Sequence, residues 1–142
     1  MKKLLPTFFV ATAAFAASLT SVAAQEFSAN LGVTNNYMWR GITQTDDEFA
    51  VQGGADVEFD NGFSAGFWAS NVDFGDGTDA EIDLYGGYSF PITEMVSGNV
   101  GIIGYFYPGQ PSGTDYTFVE FNGGLDFDLG PATLSTAVAF SP

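Results

Sequence analysis

The sequence contains no cysteine and no histidine, and its basic residues are Lys2, Lys3 and Arg40 alone, set against seventeen Asp and Glu. Without cysteine there is no disulfide framework and no thiolate metal site, so an exported domain of this size must be held by hydrogen-bonded structure and packing. Without histidine the commonest general base and transition-metal ligand is missing. A chain with a single cation beyond residue 24 cannot assemble the Lys and Arg clusters that bind phosphate, which excludes nucleic acid as a partner. The same scarcity excludes electrostatic docking on an anionic membrane surface. Catalysis would have to run on a pair of carboxylates, and no spacing marks two of them as such. No catalytic, cofactor-binding or metal-ligating residue is assigned.

The two other cations sit in residues 1–24, MKKLLPTFFVATAAFAASLTSVAA, whose order is positive, then apolar, then small. This is the layout of a secretory signal peptide cut after V-A-A. The apolar run from Leu4 to Ala17 is too short and too rich in Ala for a membrane-spanning helix. Removing Lys2 and Lys3 with this leader takes the formal charge from −14 to about −16. Residues 25–142 are then one domain, with no linker or low-complexity tract to divide them.

What is abundant is Phe, Tyr and Gly, fifteen, six and eighteen of them, which favours strands over helices. From Phe49 the apolar residues fall at every second position, Phe49, Val51, Ala55, Val57 and Phe59, with Gly53 in the same phase, between Gln52, Asp56 and Glu58. After the turn D-N-G (60–62), Phe63, Ala65, Phe67 and Ala69 alternate with Ser64, Gly66, Trp68 and Ser70. Similar alternation returns around Ile82, Val119 and Leu134, whereas 100–107 is apolar or aromatic on both faces. Seven strands of roughly nine to twelve residues follow, over 26–37, 49–59, 63–70, 80–90, 99–107, 116–127 and 132–140, a length that suits tilted strands crossing a bilayer.

The connections alternate between long and polar (36–48, 71–79, 108–115) and short (60–62, 128–131), with 91–98 as the exception. Outer-membrane barrels turn tightly on the periplasmic side and carry long loops outside. Tyr37, Trp39, Phe59, Phe63, Phe74, Phe90, Tyr107 and Phe127 stand at strand ends, where two interfacial aromatic girdles would lie. The fold expected is therefore all-β, an antiparallel up-and-down transmembrane β-barrel. Seven is an odd strand number, so the barrel is expected to be incomplete, the N-terminal part of a longer one, or to form a homo-oligomer through its open edges. The alternative is a soluble periplasmic ligand-binding β-barrel, with the apolar face as its core. The doublets Q-G-G (52–54), Y-G-G (85–87) and N-G-G (122–124) mark places where strands bend or a bulky neighbour packs over the gap.

Two features invite chemistry. The acidic run D-F-G-D-G-T-D-A-E-I-D (73–83) raises calcium, but it lacks the EF-hand spacing and offers at most one imperfect echo of a calcium-binding repeat. A solvated external loop is the expectation there. Arg40 is more informative. If the first strand keeps its alternation, odd positions face lipid and even ones the lumen, so that Trp39 lies outward at the upper interface and Arg40 points inward. Glu81, Asp83 and Glu120 face the lumen near the same end, while Asp56 and Glu58 lie near the other. Arg40 is predicted to pair with one or more of Glu81, Asp83 and Glu120, forming a lumen charge cluster.

The run Y-M-W-R-G-I-T-Q-T-D (37–46), then G-F-S-A-G-F-W-A-S-N-V (62–72), E-I-D-L-Y-G-G-Y (81–88) and Y-F-Y-P-G (105–109), resembles the proteobacterial Gcw_chp family, also labelled TorF-type porins. The resemblance covers most of the chain after the leader, from about residue 30 to 120. It implies an exported outer-membrane β-barrel whose transported solute is not established, with no catalytic residues and no cofactor to carry over, and with members longer than this chain. The function expected is a porin-like barrel passing small solutes, its partners being outer-membrane lipid and those solutes. The alternative within the membrane is a non-conducting structural or adhesive barrel.

Overall fold

The computed structural model describes residues 15–22 and 25–142. Ten strands run in chain order: β1 Phe15–Val22, β2 Gln25–Thr34, β3 Met38–Trp39, β4 Ile42–Thr43, β5 Ala50–Phe59, β6 Phe63–Asn71, β7 Ala80–Pro91, β8 Val96–Phe106, β9 Phe118–Asp128 and β10 Thr133–Phe140. Eight of them form one antiparallel sheet in the order β1-β2-β5-β6-β7-β8-β9-β10, so each strand pairs with its neighbour along the chain, and β3-β4 form a separate hairpin. Over 25–142 the main sheet has the seven strands that the alternation predicts. The eighth, β1, lies within the range expected to be the leader and pairs with the free edge of β2 from Phe15↔Leu31 to Val22↔Gln25. The remainder of that leader lies outside the described residues.

Register carries the period-two pattern across the whole sheet. Asp56 pairs with Gly66, Gly66 with Tyr85, Tyr85 with Ile103 and Ile103 with Glu120. Because successive side chains alternate faces, this single row fixes a polar face holding Asp56, Trp68, Glu81, Asp83, Tyr85, Tyr105 and Glu120. The opposite face is apolar, with Leu31, Val51, Phe67, Leu84, Ile102, Phe121 and Val138. Burial is inverted relative to a water-soluble sheet. Phe67 and Leu84 are 47% and 54% exposed, whereas Glu81, Asp83 and Glu120 are 2%, 5% and 4% exposed.

Three expectations are corrected here. The first main strand ends at Thr34, not Tyr37. The Thr34 hydroxyl donates to Asn36 O (3.0 Å), Asn36 Nδ2 to Asp47 (2.6 Å) and Gln44 N to Tyr37 O (2.7 Å), so local bonds take the chain out of the sheet. The connection 91–98 is also short, because β7 runs to Pro91 and β8 starts at Val96, leaving 92–95 as the turn. Its closure is carried by Ile92 N and Thr93 N on Val96 O (2.9 and 3.0 Å), and short and long connections now alternate without exception. Finally, the aromatics at the two ends of the strands behave differently. Phe63, Tyr88 and Phe90 line up on the apolar face near the short turns, with centroids 4.7 and 5.9 Å apart. Tyr37, Trp39, Phe74 and Tyr107, at the long-connection end, turn instead over the polar face or the loops above it.

Glycine makes two of the close approaches possible. In the Q-G-G doublet a Cβ on Gly54 would stand 2.5 Å from Phe67 O of the adjacent strand. At Gly66 the Tyr85 ring crosses the strand where a side chain would be, 2.6 Å from that Cβ position, and so Tyr85 Oη reaches Asp56 Oδ1 two strands away at 2.6 Å.

Candidate functional site

The polar face carries many carboxylates and, among the described residues, one cation, so most of the acids must be met by neutral donors. The tyrosines and amides supply them. Tyr85 donates to Asp56, Asn99 Nδ2 to Asp126 (3.1 Å) and Tyr37 Oη to Glu81 Oε1 (3.2 Å). A charged acceptor makes each of these bonds stronger than a neutral pair would be.

Arg40 sits at the tip of the β3–β4 hairpin, in which Trp39 pairs with Ile42. Arg40 and Gly41 have φ of 49° and 85°, the two successive positive values that a tight two-residue hairpin turn needs. Holding a non-glycine residue there costs about 1 kcal/mol of backbone strain. The turn aims the guanidinium across the polar face to Glu120, which accepts from Nη1 at 2.8 Å and Nη2 at 2.7 Å. Tyr105 Oη adds a third bond to the same carboxylate at 3.1 Å. Glu120 therefore has both oxygens satisfied, and its hydrogen bonds raise the Arg40 pKa further above an already high value.

The predicted cluster divides in two. Arg40 pairs with Glu120 alone, at 2.7 Å, and is attached to β9 from the first long connection rather than from the end of the first strand. Glu81 and Asp83 form a second group on β7, beneath Tyr37 and Tyr107. Burial, and then the Glu81 carboxylate, push the phenols of Tyr37 and Tyr107 well above the ordinary tyrosine value. Glu81 Oε2 and Asp83 Oδ1 are buried with no hydrogen-bond partner among the described residues.

Trp39 does not face outward as its parity suggested. The hairpin folds back, and its indole packs edge-on against Tyr105 and Phe118 (centroids 6.1 and 6.2 Å), which themselves stack at 4.3 Å. The Arg40 guanidinium lies 4.1 Å over the Trp39 ring, so one tight turn presents cation and indole as a unit. Tyr37 meets Trp68 at 5.3 Å, and Phe74, Tyr107 and Tyr116 form a further cluster with centroids 5.2–6.1 Å apart. Together these rings cap the polar face at its long-connection end. Sequence reasoning missed the cap, although the apolar and aromatic residues on both faces of 100–107 were its signal: Ile103, Tyr105 and Tyr107 meet loop aromatics rather than lumen water.

The acidic run 73–83 splits at the start of β7. Asp73 and Asp76 make loop turns, their Oδ1 atoms accepting from Gly75 N and Thr78 N at 2.8 and 2.9 Å, whereas Glu81 and Asp83 enter the sheet. Tyr116 Oη donates to Asp76 Oδ2 (2.6 Å) and clasps the second long connection to the third. That bond, joined by the Thr78 N–H, holds Asp76 below the ordinary aspartate value. Among the described residues no three carboxylates converge as metal ligands.

No curated protein and no solved structure matches the chain. A bacterial sequence family described as of unknown function matches residues 18–142, nearly the whole length. The chain belongs to that family, Gcw_chp.

Proposed function

We propose that the chain is part of an outer-membrane β-barrel that lets small solutes pass passively, exported by way of a cleaved leader and free of catalysis. The observation that carries this reading is the inverted sheet, with an exposed apolar face broad enough to meet lipid and an opposite face that buries carboxylates and phenols. Main-sheet strands of eight to twelve residues, short turns at one end and long connections at the other agree with it. The row of Phe63, Tyr88 and Phe90 on the apolar face suits an interfacial girdle. A soluble barrel with the apolar face as its core would need that face covered and the carboxylates in water, the reverse of the burial found.

The interior is acidic, with one arginine engaged by Glu120, so cations and neutral solutes should pass in preference to anions. Planar-bilayer conductance of the protein refolded in detergent tests this, and clear anion selectivity would overturn the charge argument. A second reading rests on the aromatic cap: Trp39, Tyr105 and Phe118, with the Arg40–Glu120 pair beside them, narrow the polar face at one end. Small barrels filled by side chains do not conduct, and the protein would then be structural or adhesive. Liposome swelling separates the two, since a filled barrel admits no sugar.

A further inference from the structure

Glu81 and Asp83 are the buried acids that the Arg40–Glu120 pair leaves unmatched. They stand two residues apart on β7, so both side chains lie on the polar face, each within hydrogen-bonding reach of the other. We propose that the two form a proton-binding site, holding one proton between them at neutral pH, and that its release loosens the aromatic cap above. The proposal does not depend on whether the barrel conducts.

Burial and the missing donors carry it. Glu81 and Asp83 are 2% and 5% exposed, so water solvates neither carboxylate. Two anions placed side by side without water repel each other and lack solvation, and such a pair relieves both costs by keeping one proton. Tyr37 Oη reaches Glu81 Oε1, which leaves Glu81 Oε2 and Asp83 Oδ1 as the orphaned atoms among the described residues. A proton on Asp83 turns an acceptor into a donor, and a single O–H···O bond to Glu81 then answers both orphans. A metal ion is a poorer fit, since it needs several oxygens and no three acids converge among the described residues.

The neighbours supply no positive charge. On β6, Ser70 stands opposite Glu81 and Trp68 opposite Asp83, and on β8 Tyr105 stands opposite Asp83. Tyr105 gives its hydroxyl to Glu120, which also holds Arg40, the one cation among the described residues. Tyr85, next on the same face of β7, donates to Asp56 of β5. Tyr37 and Tyr107 cover the pair as neutral phenols. The charges of Glu120 and Asp56 therefore already have donors, and both disfavour a second negative charge on the pair.

Losing the proton would leave two anions that only incoming water can solvate. The rings in its way are Tyr37, packed on Trp68 at 5.3 Å, and Tyr107, packed on Phe74 at 5.4 Å. Tyr37 belongs to the first long connection and Phe74 to the second, so displacing these rings frees both connections from the polar face.

Infrared spectroscopy of the detergent-refolded chain tests for the proton. The carbonyl stretch of a protonated carboxylic acid is expected at neutral pH, and it should be absent from Asp83→Asn and from Glu81→Gln. Either amide keeps the bond between the two side chains without a titratable proton, so both variants should fold. Trp68 reports on the cap in a Trp39→Phe background, where it is the remaining indole. Acrylamide quenching of its emission should rise at least about twofold between neutral pH and about pH 9, below the ordinary tyrosine range, and should stay flat when Asp83→Asn is added. A neutral-pH spectrum of ionised carboxylates alone, a protonated band that survives in both variants, or an equal rise in quenching with Asp83→Asn would overturn the proposal.

Discussion

Replacing Arg40 by Gln removes a bidentate contact of 2.8 and 2.7 Å from a carboxylate that is 4% exposed. Cutting one partner from a fully buried ion pair costs about 3–5 kcal/mol, because the other charge is left uncompensated. Here the Arg40 side chain is 52% exposed, so water already screens the cation and part of that penalty falls away. Tyr105 Oη remains on Glu120 and offsets more of it. A loss of about 2 kcal/mol follows for Arg40→Gln. The reverse change should be milder: Glu120→Gln leaves a neutral amide that still accepts from Tyr105, and an arginine that can turn to water, for about 1 kcal/mol. Arg40→Gly provides an internal check, since glycine suits φ of 49° and should regain about 1 kcal/mol of turn strain relative to Gln. The assay is urea unfolding in detergent micelles followed by tryptophan fluorescence, with Trp39 beside the pair as reporter. A cost for Glu120→Gln larger than that for Arg40→Gln, or no difference between Gly and Gln at position 40, would refute the reasoning.

Three further outcomes are expected. The Tyr116–Asp76 clasp depresses the Asp76 pKa, so its contribution is fully present above pH 3.8 and lost as pH falls through the folded value; the raised Tyr116 phenol makes its share fully present below pH 10.0 and lost as pH rises beyond. Unfolding midpoints measured against pH should therefore lose less below 3.8 in Tyr116→Phe than in the parent, and identical acid slopes would count against the clasp. Asp83→Asn places an amide donor beside the unmatched Oε2 of Glu81 and should raise stability by about 1 kcal/mol in the same urea assay; a decrease would show that Asp83 has a counter-charge of its own. Leu84→Arg, on the exposed apolar face, should reduce insertion into liposomes and cost about 2–4 kcal/mol if that face meets lipid, whereas insertion at the parent level would contradict a lipid-facing sheet.

How much of this was legible beforehand differs between fold and site. Strand limits such as 63–70 against Phe63–Asn71 and 80–90 against Ala80–Pro91 follow from alternation alone, because the side-chain period of a strand is two and turn residues punctuate it. The placement of Glu81, Asp83 and Glu120 on one face followed from the same parity. Trp39 failed because parity applies only while the chain stays in the sheet, and Thr34, Asn36 and Asp47 end the first strand by local hydrogen bonds. The connection 91–98 was misjudged by composition, since Ser97 and Gly98 resemble loop residues yet pair with Pro91 and Phe90.

By itself the sequence determined an antiparallel sheet with one apolar and one acidic face, for the period of two is a local property that needs no knowledge of distant contacts. It also determined that Arg40 would be the cation available to that acidic face, since composition leaves no other beyond residue 24. Only the tertiary structure decided which carboxylate takes it. The choice depends on a two-residue turn that reverses the hairpin and on stacked Tyr105 and Phe118 that seat Trp39, and these bring residues eighty positions apart within 2.7 Å. Glu81 and Asp83 share that face, but they lie beneath Tyr37 and Tyr107, and Glu81 takes the Tyr37 phenol in place of the arginine.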